Sequence, residues 1–425
     1  MLNINEFSPD SYASDSKMLN DAIQRCAGGT VTIPPVNPRT SLPIYTIDEP
    51  LLLPSDITVI LDNCHLKLAP DAKCNIFRNQ NLYQKGYKTK ALEQKNIKII
   101  GRGHALLDGE GHNDIFEWSS NKDGRPSVYV NNLILFHNVD GFEVRGLELK
   151  DQRWWATNFL FCSNGTISDL IIRTNSRFSN QDGINLRVGC HHIKVKRISG
   201  TSGDDFIALS AIGLCTDYLV EGKSTDIAYI DIEDIIASSM HEGIVNLRAN
   251  DGHSIHHVNI SNIIESNYDN ENVMPSQTLL LGQAAFYAKA PGKHGCMHHI
   301  RVNGVYTKCA GAAITLGNTL MDSTIENLHA EGCINAITTR NYDHFGPARV
   351  VKRGMSDDPN FPEEGITMER VYIKNVYAKN ISGTVIDLEE MRKHDFIKDC
   401  HVDGVFYDGM QKIILCAEGK ELPVI

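Results

Sequence analysis

The stretch 193-IKVKRISG-200, read with 167-ISDLIIRT-174 before it and 227-IAYIDIEDI-235 after it, decides the fold. Apolar and polar residues alternate within each run, the period of a half-buried strand. Related runs follow at 256-HHVNISNII-264, 299-HIRVNGVYT-307, 325-IENLHAEG-332 and 370-RVYIKNVYA-378, and one precedes at 142-FEVRGLEL-149. Gly, Asn and Asp punctuate the gaps, as turns require. Helical patterns between the strands, which a doubly wound α/β sheet needs, are missing. So are the two-residue hairpin turns of a sandwich. A repeat of roughly 20–30 residues with two or three short strands fits a solenoid. The predicted fold is therefore all-β, a single-domain right-handed parallel β-helix over residues 1–425. Residues 1–60 supply the cap and first coils, 97–400 the main coils, and 401–425 the C-terminal end.

An open solenoid end exposes unpaired backbone, so a cap is expected. The segment 14-SDSKMLNDAIQRC-26 predicts a short N-terminal helix. Ser14 or Asp15 can cap it, and Met18, Leu19, Ala22 and Ile23 share one side. Gly28 and Gly29 stop it. The segments 75–96, 267–278 and 341–364 break the strand rhythm and read as loops on one face.

The 425 residues carry a net charge of −11, with 41 Lys+Arg against 52 Asp+Glu. That balance argues against nucleic acid as the main partner. No run of about 18 apolar residues suggests a membrane span. The start, MLNINEFSPDSYASDS, lacks the charged and apolar regions of a secretion signal. A cytoplasmic location is expected, with a secreted or periplasmic one the alternative if a signal has been removed. The 11 scattered cysteines, without CxxC, read as small buried hydrophobes.

The densest chemistry lies at 180-NQDGINL-186 and 203-GDDFIALS-210. Asp182 and Asp204 are 22 residues apart, about one coil. Stacking would bring them to one face in neighbouring rungs. Adjacent strand residues point to opposite faces. For Asp205 to join Asp204, the backbone must turn, and Gly203 permits it. Crowded carboxylates repel, so one should hold its proton. A protonated acid beside an ionised base is what glycoside hydrolysis uses, with the pair roughly 6.5–9.5 Å apart in inverting enzymes. His241, in 238-SSMHEGIVNL-247, falls one coil later and suits the same column.

At these residues the chain resembles glycoside hydrolase family 28, the polygalacturonase-like pectinases, over about residues 10–400. The family motifs are N-T-D, G/Q-D-D, G-H-G and R-I-K. Here 180-NQD-182 resembles the first, 203-GDD-205 matches the second, and His241 stands for the His of the third. The stretches 28-GGTVTIPP-35, 101-GRGHALLDGEG-111 and 133-LILFHNVDGFEVRGLELKD-151 are similar to its N-terminal coils. The resemblance implies that Asp204 protonates the leaving oxygen while Asp182 and Asp205 hold and deprotonate water, with His241 beside the acid. It implies no metal, no cofactor and no covalent intermediate. Asn180 belongs to the first motif and is assigned to substrate binding with it.

Two departures bear on the substrate. Glu242 replaces a Gly of G-H-G, which alters a subsite. The best match to R-I-K is 287-YAK-289, so Lys289 is kept while Tyr287 replaces the Arg that would hold a uronate carboxylate. Arg248 is a candidate to supply a cation from another angle. Trp154 and Trp155 are candidates for a wall against a sugar face. The His pairs at 191–192, 256–257 and 298–299 read as one repeated turn-to-strand position rather than as metal ligands. Asp357, Asp358, Glu363 and Glu364 read as a solvated acidic loop. The expected partner is an oligosaccharide or polysaccharide, cleaved by an inverting and, from the insertions, exo-acting hydrolase. A polysaccharide lyase and a non-catalytic glycan-binding solenoid are the competing classes. Oligomeric state is not readable from the chain.

Overall fold

The computed structural model describes residues 2–3, 11–70, 72, 74–83, 92–111, 132–174, 180–213, 219–266, 275–282, 292–308, 310–317, 319–340, 367–389, 396–409, 412–416 and 421–423. The chain divides into two compact units. The first is Met1–Asn185, Cys190–Gly203 and Val220–Lys223; the second is Leu186–Gly189, Asp204–Leu219 and Ser224–Ile425. Each is built from coils of a right-handed parallel β-helix, as expected.

Within the first unit, Gln94–Asp108, Val139–Lys150, Ser163–Arg173 and His191–Ser202 pair in parallel. Stacking puts like on like: Ile99, Val144, Ile167 and Val195 form one buried aliphatic column. The second unit repeats this with Ile232, Ile260, Val302, Ile325, Ile373 and Val402. A second row of short strands places Leu209, Leu247, Leu281 and Leu316 in another column. Each such side chain contributes roughly 1.5–3 kcal/mol on burial. These columns are the core.

The long strands bend twice, through left-handed residues five apart. In the first unit these are Gly141 and Gly146, Asn164 and Asp169, and His192 and Arg197. In the second they are Tyr229 and Asp234, His257 and Asn262, His299 and Gly304, Asp322 and Asn327, Arg370 and Asn375, and Asp399 and Gly404. Asn, Asp and Gly tolerate this conformation best. The second members register with one another, and their amides bond along the column: Asn262 Nδ2 donates to Asp234 Oδ1 at 3.0 Å, and Asn375 Nδ2 to Asn327 Oδ1 at 3.0 Å. The second His of each pair occupies the first of these bends, which gives the His pairs their common position.

The expected cap is the helix Asp15–Arg25, N-capped by Ser14, with Met18, Leu19, Ala22 and Ile23 buried. Its polar side chains answer the neighbouring backbone. Asp15 Oδ2 accepts from Thr46 N at 2.8 Å, Ser16 Oγ from Asp48 N at 3.0 Å, and Asn20 Oδ1 from Leu52 N at 2.8 Å. Among the described residues no helix is long and apolar enough to cross a membrane. The described cysteines are free, and all but half-buried Cys416 are buried, as read from the sequence.

Gly200 sits at φ 124°, and an added Cβ would fall 1.9 Å from the Ile172 carbonyl oxygen of the adjacent coil. Gly28, at φ 80°, has open space around it. Gly28→Ala is expected to cost only the left-handed strain, about 1–2 kcal/mol. Gly200→Ala must also push two coils apart and will lose clearly more. Urea midpoints of the two variants check this, and equal losses would contradict it.

Candidate active site

The second unit assembles its site from three successive segments. Gly203 ends the first unit's part of the G-D-D motif, and Asp204 and Asp205 open a turn into Ile207–Ala211. Phe206 N donates to Gly243 O at 2.9 Å and Ile207 N to Ile244 O at 2.8 Å, which sets this coil on the next. The turn separates the two carboxylates. Asp204 is half-buried, and its Oδ1 accepts from the Asp205 amide at 3.0 Å. Asp205 is buried.

Asp205 meets two side chains of Val245–Ala249. Residues two apart in a strand share a face. Val245, Leu247 and Ala249 fill the core, so Asn246 and Arg248 project from the other side. Asn246 Nδ2 and Arg248 Nη1 both donate to Asp205, and Arg248 Nη2 donates to Asp205 Oδ1 at 3.1 Å. The guanidinium therefore grips the carboxylate with both prongs. Burial opposes the Arg248 charge, but Asp205, helped by Glu242 and Asp204, more than offsets it and raises its pKa. Arg248 belongs to the site, as a partner of a carboxylate of this chain.

His241 is buried. The Ser239 hydroxyl donates to the Asp204 carbonyl at 2.8 Å and accepts from the His241 amide at 3.3 Å. One side chain thus ties the G-D-D turn to the histidine of the third motif. Gly243 permits the close approach: a Cβ there would lie 2.7 Å from Gln277 O and 2.9 Å from Asn246 Oδ1. Glu242 is half-buried and accepts from Gln277 Nε2 at 3.2 Å. Burial first, then the Asp205 charge, pushes its carboxyl up from the ordinary 4.5, against Arg248 and the Gln277 amide. Among the carboxyls of this segment, the upward shift expected of the aspartates falls on Glu242.

The first unit presents Asp182 on its own coil. It is buried, and its Oδ2 accepts from Asn185 Nδ2 at 3.1 Å. Its carbonyl accepts from Ala156 N at 2.9 Å and Gln152 Nε2 at 2.9 Å. Gln152 and Gln181 also bond each other's backbone, with Gln181 Nε2 donating to Gln152 O at 2.6 Å. Asn180 precedes at φ 65°, a left-handed turn. Trp154 and Trp155 pack in this unit with 2% and 8% exposure and ring centroids 6.2 Å apart. Neither offers the open ring face that stacking on a sugar needs; both rings are buried in the unit's interior. Tyr287, Lys289, the acidic loop with Asp357, Asp358, Glu363 and Glu364, and much of the three insertions lie outside the described residues.

Sequence reasoning missed Ser239, Asn246, Gln277 and the role of Arg248. The alternation in 245-VNLRA-249 carries a signal for two of them, because it marks Asn246 and Arg248 as the outward pair.

Residues 50–214 match the profile of Glycosyl hydrolases family 28. The resemblance read from the motifs therefore stands over that segment, which includes 180-NQD-182 and 203-GDD-205. A search of curated proteins returned no sequence match. Among solved structures, the Thermotoga maritima exopolygalacturonase is similar at 14% identity and a TM-score of 0.54, covering 100% of this chain and 90% of its own. The Yersinia enterocolitica family 28 exopolygalacturonase is similar at 12% and 0.56, covering 98% and 78%. The endo-xylogalacturonan hydrolase of Aspergillus tubingensis is similar at 14% and 0.54, covering 97% and 98%. At these identities the likeness is one of fold.

Two variants probe the electrostatics. Asp205→Asn leaves a buried guanidinium without its counter-charge and is expected to cost about 3–5 kcal/mol, whereas Asp204→Asn keeps its bond to the Asp205 amide and melts like wild type. Glu242 binds its proton more tightly folded than unfolded, so its favourable contribution is present in acid and lost as pH rises through the raised value. Glu242→Gln should therefore raise Tm at pH 7–8 and leave it unchanged near pH 4. A Tm gain equal at both pH values would contradict this.

Proposed function

We propose that this chain is an inverting glycoside hydrolase that cleaves a pectin-related or other uronate-containing oligosaccharide from one end. The single observation that carries the reading is the Ser239 bridge, which holds the Asp204 turn against His241. This backbone tie between the segments that carry the motif acid and the motif histidine supports the reading.

In this reading Asp204 is the general acid. Its half-buried carboxyl donates a proton to the departing glycosidic oxygen. His241 is assigned to the same step, steadying the acid or a sugar hydroxyl. The motifs assign the water to Asp182 and Asp205, with different tasks. Protonating Asp205 would strand the Arg248 charge in a buried setting, an expensive outcome. Asp205 therefore holds and orients the water through the lone pair its partners leave, and Asp182 takes the proton. Water then attacks the anomeric carbon from the face opposite the leaving group, and the product has inverted configuration. Lys289 and Tyr287 are assigned to the substrate carboxylate, and Asn180 to substrate binding with the first motif. The exo mode rests on the insertions at 75–96, 267–278 and 341–364, which are long enough to close one end of a cleft.

The test is hydrolysis of a panel of pectic oligosaccharides, with wild type and Asp204→Asn compared by mass spectrometry. Wild type should release a hydrated monosaccharide from the first minutes, of inverted configuration by NMR. Asp204→Asn should lower kcat by about 10²–10⁴-fold with little change in KM. An unsaturated product would convert the reading to a lyase, and tight binding without turnover to a glycan-binding solenoid.

A further inference from the structure

The second unit carries imidazoles that the proposed reaction does not use. His256 and His257 lie on Ile255–Glu265, and His298 and His299 on Met297–Thr307. The two strands pair in parallel with His256 opposite His298, which sets His257 beside His299. The facing rings stack, His256 on His298 at 4.9 Å and His257 on His299 at 4.6 Å, each pair within 8° of parallel. The left-handed bends at His257 (φ 54°) and His299 (φ 55°) turn each ring back toward its predecessor. Nδ1 of His298 and His299 are consequently 2.7 Å apart, and those of His256 and His257 2.9 Å.

Two imidazole nitrogens on one ion, each at about 2.0–2.1 Å, stand about 2.9 Å apart at a right angle and about 3.4 Å apart at the tetrahedral angle. The observed pairs lie close to that bite. The ligating atoms of His257, His298 and His299 all lie within 4.8 Å of one another. The next carboxylate along the column, Asp322, is held by Arg370 at 2.5 and 3.0 Å. An all-nitrogen donor set suits borderline transition metals and not calcium or magnesium.

We propose that His257, His298 and His299 bind one divalent ion of the zinc, copper or nickel kind, which clips two neighbouring coils together. The first unit supplies an internal control. His191 and His192 make the same Nδ1 pair at 2.9 Å, with the same left-handed bend at His192. In that unit the register sets Ser163 opposite His191, so Asn164 rather than a third imidazole faces His192.

The experiment is calorimetric titration of the full chain with nickel or zinc salts, with copper EPR on the wild type. The expected result is one ion per chain and a Tm that rises with metal concentration. His257→Asn and His299→Asn keep a residue suited to the left-handed bend, as Asn164 does in the first unit. Loss of an outer-shell partner costs about 10–100-fold in affinity, and each of these variants should weaken binding by more than that. His192→Asn should bind as wild type. The EPR spectrum, which needs no variant, should show several coordinating nitrogens. Failure of the wild type to bind, an oxygen-only spectrum, unchanged affinity in His257→Asn and His299→Asn, or equal loss in His192→Asn would each overturn the proposal.

Discussion

Parallel in-register stacking constrains everything else in this molecule. Neighbouring strands lie about 4.8 Å apart, so each side chain is held against the residues at the same position in the coils on either side. Aliphatic residues gain from that placement, and the Ile and Val columns of each unit result. Aromatic rings gain too: Tyr306, His329, Tyr377 and Phe406 stack at 4.6, 4.6 and 5.0 Å. Charges lose unless they alternate, and they do: Asp169 faces Arg197, Asp322 faces Arg370, and Glu331 faces Lys379.

The same constraint governs what could be read from the chain. Strand alternation, the turn residues and the helix at 15–25 are local signals, and stacking merely repeats them. A regular spacing escaped notice, although it is visible once the bends are known. In 257-HVNISN-262, 299-HIRVNG-304 and 370-RVYIKN-375 the first and last residues are both left-handed. The last position is filled by residues with a known taste for that conformation. The first also takes His, Tyr and Arg, which hides the pattern from a rule based on Gly and Asn.

The site was legible in part for a related reason. Asp204, Asp205, His241 and Asp182 stand in short motifs at coil-length spacing, a combination that ordinary turns do not produce. Ser239 and Asn246 work through contacts between successive coils, and such contacts emerge only when the register is known. Arg248 illustrates the difference. Its charge suggested a ligand for the substrate, yet its position two after Asn246 aims both at Asp205. Burial decides between those uses, because a guanidinium withdrawn from water must find a carboxylate in the protein itself.

That pairing reshapes the chemistry expected of the carboxylates. Asp205 has four lone-pair sites, and Arg248 and Asn246 occupy three of them. What remains is enough to orient a water but poorly suited to accept its proton, since neutralising Asp205 would leave Arg248 unbalanced. Glu242, just before Gly243 and Ile244, feels the same pair differently. Burial raises its pKa most, and the Asp205 charge adds to this while Arg248 opposes it. The departure from G-H-G therefore sets a carboxyl of raised pKa beside the Asp205–Arg248 ion pair.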